Sequence, residues 1–221
     1  MSSDDDFYGA AQRGLQDEFG CRQLADLHRE VIVGETIDDD QRQFIESRDF
    51  FFLSTIDEHG WPTVSYKGGP VGVVRVEDER TIVFPGYDGN GMFLSAGNIE
   101  SNPRIGLLFI DFERPDRLRL HASATLHLDD PAMEHFPGSQ YLVRGRVENL
   151  FVNCARYVHR HTRVGASPYV PDADGTQPHP GWKRIDLIQP FLPVSDEGRT
   201  DEAGGTITIE EYGERLADGT S

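Results

Sequence analysis

Lys67 is the residue of this sequence with the clearest potential for chemistry. It ends the segment Ser65-Tyr66-Lys67, and a glycine-rich turn, Tyr87-Asp88-Gly89-Asn90-Gly91, comes later in the chain, just before a helical segment. A cation beside such a turn and a helix N-terminus offers an ammonium, exposed amide N–H groups and the positive end of a helix dipole, which together suit a phosphate. The pattern therefore predicts a phosphate site. The alternative is an ordinary tight turn beside a solvated lysine, because Gly-Asn-Gly also forms turns without any ligand.

Other reactive side chains are present, but their spacing does not build a catalytic or metal site. His159 and His161 lie two residues apart with no third ligand evident, so we expect no metal. Cys154 follows a strand in an arginine-rich stretch, yet a free cysteine most often serves as a small apolar filler. Gly138-Ser139 lacks the flanking glycine of a nucleophile elbow. The sequence therefore names no catalytic residue.

The elements that position these residues are predicted to be short strands. Alternating and β-branched apolar runs, separated by turns rich in Gly, Pro and Asp, predict strands at 50–56, 63–67, 71–76, 81–84, 104–112, 117–128 and 141–152. One helix is predicted between them, at 92–101. Close turns favour an antiparallel barrel, because parallel strands need long crossover connections. Helical spacing of apolar residues predicts two further helices, at 16–33 and 36–48.

The domain organisation follows from these elements. We expect an N-terminal helical extension at 1–40, a barrel domain at 41–195 and an acidic C-terminal tail at 196–221. A short basic helix is predicted at 155–163. Within the tail, only Thr206-Ile207-Thr208-Ile209 has the composition of a strand.

The charge excludes several classes of function. Lys and Arg total 21 against 38 Asp and Glu, a formal net charge of -17, so the surface repels nucleic acid and anionic membranes. Two cysteines, an acidic N-terminus unlike a signal peptide, and apolar runs too short for a membrane helix predict a cytoplasmic protein with reduced thiols. The acidity fits either solubility alone or a high-salt habitat.

The order of several motifs resembles a known family. These motifs are Pro62-Thr63-Val64-Ser65-Tyr66-Lys67, Thr81-Ile82-Val83-Phe84, a helix closing on Asn102-Pro103, the strand that begins Arg104-Ile105-Gly106, and Leu118-Arg119-Leu120-His121. Together they resemble the pyridoxamine 5'-phosphate oxidase-related, FMN-binding split barrels. Phe151-Val152-Asn153-Cys154-Ala155-Arg156 is similar to a segment of the predicted flavin-nucleotide-binding subgroup. The resemblance covers residues 41–190, and its specificity lies in the order and spacing of short motifs.

This resemblance implies a fold, a cofactor and an assembly. The fold would be mainly β with flanking helices, a six-stranded antiparallel split barrel, and the chain would form a homodimer with two FMN molecules at the subunit interface. By position, the residues implied to contact FMN are Thr63, Val64, Ser65, Tyr66, Lys67, Asn90, Gly91, Ser95, Asn98, Arg119 and Arg156. The implied partners are a small-molecule substrate or electron donor, with neither nucleic acid nor membrane.

The sequence also departs from the family pattern. Pro62 stands where the oxidase has an arginine, and Phe93 and Leu94 replace adjacent basic residues. Each lost cation removes a charge-assisted bond to phosphate, which argues against pyridoxamine phosphate as substrate. We expect a flavoprotein that transfers hydride or electrons between a reduced nicotinamide, or another small donor, and an unassigned acceptor. The alternatives are a non-catalytic flavin or haem carrier or sensor, a deazaflavin protein, and a barrel with an empty groove.

Overall fold

A computed structural model of the chain describes residues 7–154 and 156–219. The chain forms two compact units, Met1–Val164 and Gly165–Ser221. The organisation expected from sequence, with an extension at 1–40, a barrel domain at 41–195 and a tail at 196–221, stays a prediction about domains. The secondary structure within each unit, in contrast, can be compared directly with the sequence patterns.

A single antiparallel sheet dominates the first unit. Its strands are β1 Phe50–Ile56, β2 Pro62–Gly68, β3 Arg75–Asp78, β4 Thr81–Tyr87, β5 Arg104–Asp111, β6 Asp116–His127 and β7 Ser139–Val152. They are hydrogen-bonded in the order β2-β1-β5-β6-β7-β4-β3. The predicted antiparallel, mainly β fold with flanking helices is confirmed, with seven strands instead of six. The strand predicted at 71–76 begins only at Arg75, because Gly72 has a φ of +82° and donates its N–H to Arg48 O.

The sheet curls until its two halves meet. Phe51 on β1 packs against Phe84 on β4 with ring centroids 5.1 Å apart, although three strands separate β1 from β4 in the sheet order. The inner face holds the core, which includes the fully buried Leu53, Leu120 and Leu150. Each such side chain contributes roughly 1.5–3 kcal/mol by leaving water. The result is a barrel split between the edge strands β2 and β3.

Four helices flank this barrel: α1 Ala10–Glu18, α2 Arg22–Ile32, α3 Asp39–Glu46 and α4 Leu94–Ser101. The prediction of one helix at 16–33 was wrong, because Gly20 takes a φ of +64° between α1 and α2. The helix predicted near 36–48 is confirmed by α3. Its start is a capping box, in which the Asp38 carboxylate accepts from Gln41 N at 2.8 Å while Gln41 Oε1 accepts from Asp38 N.

The basic helix predicted at 155–163 does not form in the described part of that segment, residues 156–163. The prediction was wrong because the segment finds partners outside itself. His161 N donates to Phe112 O at 3.1 Å, and Arg160 Nε donates to Glu113 O at 3.2 Å. A backbone whose hydrogen bonds go to a neighbouring hairpin does not form a helical ladder.

The second unit consists of short helical segments. Three 3-10 helices, Gly181–Arg184, Asp186–Phe191 and Val194–Asp196, precede α5 Arg199–Glu202 and α6 Ile209–Asp218. The strand pattern at 206–209 was misleading: only Ile207 forms a single parallel bridge, and Thr208 caps α6 through Glu211 N. Lys183 and Asp196 pair at 2.8 Å and are both almost fully buried, so this small unit has an ionic centre.

Among residues 7–154 and 156–219, no helix is long and apolar enough to cross a membrane. Nor do these residues contain a group of three or more His, Cys, Asp or Glu side chains placed to hold a metal ion.

Candidate functional site

Lys67 lines a cavity of about 220 Å³ in the first unit, which we name the Lys67 cavity. The ends of β2 and β4, two residues of β7 and the start of α4 form its walls. The floor is apolar and belongs to the core, with Leu53 and Phe84 among its residues. The polar side chains that line it are Tyr66, Lys67, Tyr87, Asp88, Ser95 and Tyr141. A polar rim above an apolar floor is the usual construction of a small-molecule site.

Strand alternation places Lys67 inside. Successive β2 side chains point to opposite faces, so Lys67 shares the inner face with Ser65 while Val64 and Tyr66 point outward, 69% and 63% exposed. Among the described residues, no carboxylate lies within ion-pair distance of the Lys67 ammonium. Burial lowers the pKa of Lys67, since partial removal from water disfavours the charged form. A cation held in this way is ready for an anionic ligand.

Tyr87 contributes a second group without a protein partner. Its hydroxyl is buried and, within the described chain, makes no hydrogen bond. Burial raises the pKa of Tyr87 to about 12, so the hydroxyl stays neutral and able to donate. A buried polar group without a partner costs roughly 1–3 kcal/mol, which a bound ligand would offset by accepting its hydrogen bond.

Gly86 makes room for the aromatic wall of the cavity. It pairs across the sheet with Tyr141, and a Cβ at position 86 would lie 2.0 Å from Cζ of that ring. Any other residue here would therefore push the ring away. Burial raises the pKa of the Tyr141 hydroxyl as well. The glycine thus fixes where Tyr141 lies, and Tyr141 in turn shapes the cavity.

The first turn of α4 supplies backbone donors. Its N-cap, Phe93, takes a left-handed φ of +49° and makes no side-chain capping bond. Ser95 and Ala96 in that turn are buried and line the cavity, and Ser95 Oγ lies 3.2 Å from Ser65 Oγ. An uncapped helix N-terminus presents free N–H groups and a partial positive charge, the usual setting for a phosphate.

Several of the residues predicted from sequence meet at this cavity. Tyr66, Lys67 and Ser95 line it, and Ser65 lies next to it through its contact with Ser95. Asn98 instead anchors α4, because its buried amide donates to Thr55 Oγ1 at 3.0 Å. These contacts show which of the predicted side chains lie close together. Their roles in binding stay predictions.

The rest of the predicted set lies around or away from the cavity. Thr63 follows the inner-face alternation of β2 and pairs with Thr55. Asn90 is exposed and accepts from Met92 N at 3.1 Å, and Gly91 takes a φ of +75° in the same turn. Neither Asn90 nor Gly91 lines the Lys67 cavity.

The two predicted arginines lie elsewhere. Arg119 pairs with Leu108, Leu108 with Phe52, and Phe52 with Tyr66, so the register places Arg119 on the outer face of the sheet. There it donates to Asn153 Oδ1 at 2.6 Å, and burial lowers its pKa. Arg156 is exposed and lies over the ring of Tyr157 at 4.9 Å. Neither arginine lines the Lys67 cavity of its own chain.

Sequence reasoning did not select Gly86, the Tyr87 hydroxyl or Tyr141 as site residues. A glycine in a strand opposite an aromatic residue is a recognisable pairing, because the ring covers the bare backbone. Recognising it requires knowing that residue 86 faces residue 141. That register comes from the whole sheet and not from either strand.

On the outer face of the sheet, the exposed Val64 and Tyr66 lie beside half-buried rings, and we name this group the outer aromatic surface: Phe50, Phe52, Val64, Tyr66 and Phe112. Phe50 stacks on Tyr66 at 5.2 Å and on Phe112 at 5.9 Å, with interplanar angles of 11° and 6°. Tyr66 belongs both to this surface and to the rim of the Lys67 cavity. An apolar face is therefore continuous with the candidate site.

Comparisons with known proteins fit this architecture. Residues 37–152 match the family model described as pyridoxamine 5'-phosphate oxidase, and no curated protein matches the sequence significantly. Solved structures with a similar fold include HupZ of Group A Streptococcus, at 19% identity and a TM-score of 0.45, covering 57% of this chain and 99% of that one.

Two further solved structures are similar to this chain. An FMN-binding protein from Syntrophomonas wolfei has 12% identity and a TM-score of 0.42, with 64% and 98% of the two chains covered. HutZ, a haem storage protein from Vibrio cholerae, has 20% identity and a TM-score of 0.39, with 52% and 94% covered. These likenesses are distant, with identities of 19%, 12% and 20%. The family model, however, spans more than half of the chain, and the protein therefore belongs to the pyridoxamine 5'-phosphate oxidase family.

Proposed function

We propose that this protein binds FMN, with the phosphate in the Lys67 cavity, and acts as a flavin-dependent oxidoreductase. The observation that carries the proposal is the set of unsatisfied donors around one space. An ammonium without an ion-pair partner and an uncapped helix N-terminus line it, and Tyr87, whose ring lines the same space, has a buried hydroxyl without a hydrogen bond in the described chain. Family membership supports the choice of a flavin phosphate as the ligand.

The donor set fits a phosphate and does not depend on the cations that this chain lacks. Pro62, Phe93 and Leu94 carry no charge where related oxidases have basic residues. Lys67 and the backbone N–H groups of α4 supply the positive potential instead. Ser65 and Ser95 add hydroxyls that accept or donate as the ligand requires.

The size of the cavity bears on how much of FMN one protomer encloses. At about 220 Å³ it is smaller than the roughly 300–1,000 Å³ typical of pockets that enclose a drug-sized ligand. One chain therefore suits the phosphate end. The remainder of the cofactor requires a further wall, which a second copy of the chain would provide.

A homodimer formed through the outer aromatic surface would provide that wall. Val64 and Tyr66 are 69% and 63% exposed on this face, and large exposed apolar patches commonly mark interfaces. Tyr66 borders both the outer aromatic surface and the Lys67 cavity. A second subunit that covers this surface would therefore also reach the edge of the cavity. We therefore propose a dimer with its cofactor sites at the subunit interface.

The bound flavin would supply the two-electron chemistry, and the protein would bind and orient it. Lys67 would neutralise phosphate charge, and the Tyr87 hydroxyl, neutral at physiological pH, would donate one hydrogen bond. The electron donor would be a reduced nicotinamide or another small molecule, with the acceptor unassigned. A cytoplasmic location stays a prediction from composition. The second candidate class is a non-catalytic carrier or sensor.

The first experiment is an absorbance spectrum of the freshly purified full chain, followed by heat release and chromatography of the supernatant. FMN in the supernatant, or saturable uptake of added FMN, would support the proposed cofactor. Anaerobic titration with NADH and NADPH then tests the oxidoreductase: bleaching of the flavin supports it, and unbleached flavin supports a carrier. A colourless protein that does not take up FMN would overturn the proposal, and a haem spectrum would replace the cofactor.

A further inference from the structure

A second cavity in the first unit has a different composition. It measures about 410 Å³ and lies between the turn that joins β5 to β6 and the segment 160–162. We name it the Arg114 cavity, and its lining residues are Glu113, Arg114, Arg160, His161 and Thr162. It shares no lining residue with the Lys67 cavity. Within one protomer, the cavity proposed for the FMN phosphate therefore does not account for it.

The segment that forms one wall is held in place by specific contacts. His161 N donates to Phe112 O at 3.1 Å, Arg160 Nε to Glu113 O at 3.2 Å, and Arg163 N to Glu113 Oε1 at 3.2 Å. The His161 ring also packs edge-on against Phe112 at 5.0 Å. These bonds replace the helix predicted from sequence. They bring Arg160 beside the hairpin that carries Arg114.

The neighbouring acids are largely engaged by other arginines. Asp49 pairs with Arg163 at 2.7 Å, and Asp111 pairs with Arg48 at 2.9 Å. Within residues 7–154 and 156–219, the Arg114 guanidinium makes no ion pair, and Arg160 uses only its Nε. The Arg160 Nη atoms and the guanidinium donors of Arg114 remain for a ligand, whereas the Arg114 backbone N–H donates to Asp111 Oδ1.

The charge pattern of the sequence singles out the same place. In a chain with a formal net charge of -17, no Asp or Glu occurs from Asn149 to Pro171, while Arg156, Arg160 and Arg163 fall within that stretch. A strongly acidic protein repels anions at long range, so an anion site must be built from local donors. Such a concentration of arginines beside one cavity provides them.

We propose that the Arg114 cavity binds a phosphorylated small molecule through its phosphate or diphosphate group. Two guanidinium groups offer planar, bidentate donors suited to phosphate oxygens, and Thr162 adds a hydroxyl. The volume falls within the roughly 300–1,000 Å³ of small-molecule sites, which leaves space for a group attached to the phosphate. The carboxylate of Glu113 repels an anion, so it limits the negative charge that the cavity can accept.

Calorimetric titration of the full chain with sodium pyrophosphate, and separately with ADP, tests this site. Both titrations are run at constant ionic strength, on protein with and without saturating FMN. The double variant R114Q/R160Q is expected to bind at least about tenfold more weakly, because charge-assisted bonds are lost. The matched control, R104Q, removes an exposed arginine at the other end of β5 and is expected to leave the affinity unchanged.

A second variant tests the charge of the wall and does not remove any guanidinium. E113Q keeps an acceptor for Arg163 N while removing the negative charge, so it is expected to tighten pyrophosphate binding several-fold. R114Q alone guards against misfolding of the double variant, because Arg114 makes no ion pair in the described chain. Thermal unfolding of each variant verifies that it is folded.

The outcomes separate this site from the proposed FMN site. Equal affinity of wild-type and R114Q/R160Q protein would overturn the proposal, as would loss of pyrophosphate binding in K67Q or after saturation with FMN. Binding that depends on Arg114 and Arg160 supports it, whether or not the protein takes up FMN. Equal affinities for pyrophosphate and ADP would show recognition of the diphosphate alone, and tighter ADP binding would assign the attached nucleoside to the cavity.

Discussion

The two cavities of the barrel unit obtain positive charge in different ways. The Lys67 cavity is formed by ordered strands and a helix start, holds one ammonium and is floored by the core. The Arg114 cavity is formed by a hairpin turn and an irregular segment, and it exposes two guanidinium groups. Burial lowers the pKa of Lys67. A partly buried single cation therefore interacts strongly and titrates, whereas exposed arginines act together and stay charged.

This difference teaches how so acidic a chain could build the two proposed anion sites. Strands fix a few side chains in surroundings of low dielectric constant, where each charge or hydroxyl has a large effect. Loops instead gather charges in water, where each is screened by salt. Removing an atom at the Lys67 cavity should therefore have a larger effect on stability or ligand affinity than removing an atom at the Arg114 cavity.

The largest expected effect comes from filling the space that shapes the Lys67 cavity. Gly86→Ala places a Cβ 2.0 Å from a Tyr141 ring carbon, so we expect the free energy of unfolding to fall by about 3 kcal/mol, the upper end for overpacking. Urea denaturation measures it. Gly89→Ala is the matched control, since Gly89 lines the same cavity with nothing within 4 Å of its added Cβ. Equal free energies of unfolding for the two variants would contradict the position assigned to the Tyr141 ring.

The next effect is on the proposed cofactor. Lys67→Gln should weaken FMN binding by about 2 kcal/mol, roughly 30-fold, because one charge-assisted bond is lost. Fluorescence quenching of FMN on titration with protein gives the dissociation constant. Stability should not fall, because the ammonium has no ion-pair partner within the described chain. An unchanged dissociation constant, equal to that of Arg104→Gln, would exclude Lys67 from the site.

The pH dependence should follow Lys67 directly. Its pKa in the free protein lies below 10.5, and a bound phosphate favours the ammonium, so binding takes up a proton at alkaline pH. FMN affinity should therefore be full below the Lys67 pKa and fall as the pH rises through it, by at most the factor lost in Lys67→Gln. The dissociation constant measured from pH 7 to pH 10 tests this.

A variant that cannot deprotonate provides the contrast. Lys67→Arg should give a flat profile over the same pH range, because a guanidinium group stays protonated. A wild-type profile as flat as that of Lys67→Arg would show that the protonation of Lys67 does not affect FMN binding.

The smallest expected effect comes from a single oxygen atom. Tyr87→Phe should weaken FMN binding by about 1 kcal/mol, roughly fivefold, if the hydroxyl donates to the ligand. The unliganded protein should be as stable as wild type or more so, because the buried hydroxyl has no partner in the described chain. Denaturation and FMN titration of the same preparation measure both. A loss of stability with unchanged FMN affinity would assign the hydroxyl a structural role.

The strands were predictable because their signals are local. β1 was predicted at 50–56 and observed at Phe50–Ile56, since an apolar run ending in Asp and Gly needs no distant information. α3 was predictable from the acidic residues that follow Thr36, and its capping box lies within four residues of sequence. Lys67 and the helix after Gly91 were likewise selected from residue type and local order alone.

The failures share a dependence on distant contacts. The basic segment after residue 155 has helical composition, but the hairpin at Phe112 and Glu113 takes its hydrogen bonds. Arg119 was grouped with Lys67 by family position, and pairing through Leu108 and Phe52 places it on the outer face, so its contact with FMN stays a prediction. A shift of one residue in that register would have reversed the outcome.

The sequence by itself determined the antiparallel strand pattern and the acidic surface, and it selected Lys67 as the candidate phosphate ligand. These depend on residue type and on spacing over a few positions. Only the tertiary structure decided that Gly86 faces Tyr141, that the Tyr87 hydroxyl is buried without a partner, and that Arg114 and Arg160 share a cavity. Each of these joins segments far apart in the chain, and their meeting depends on how the whole sheet curls, a cooperative property that no single segment encodes.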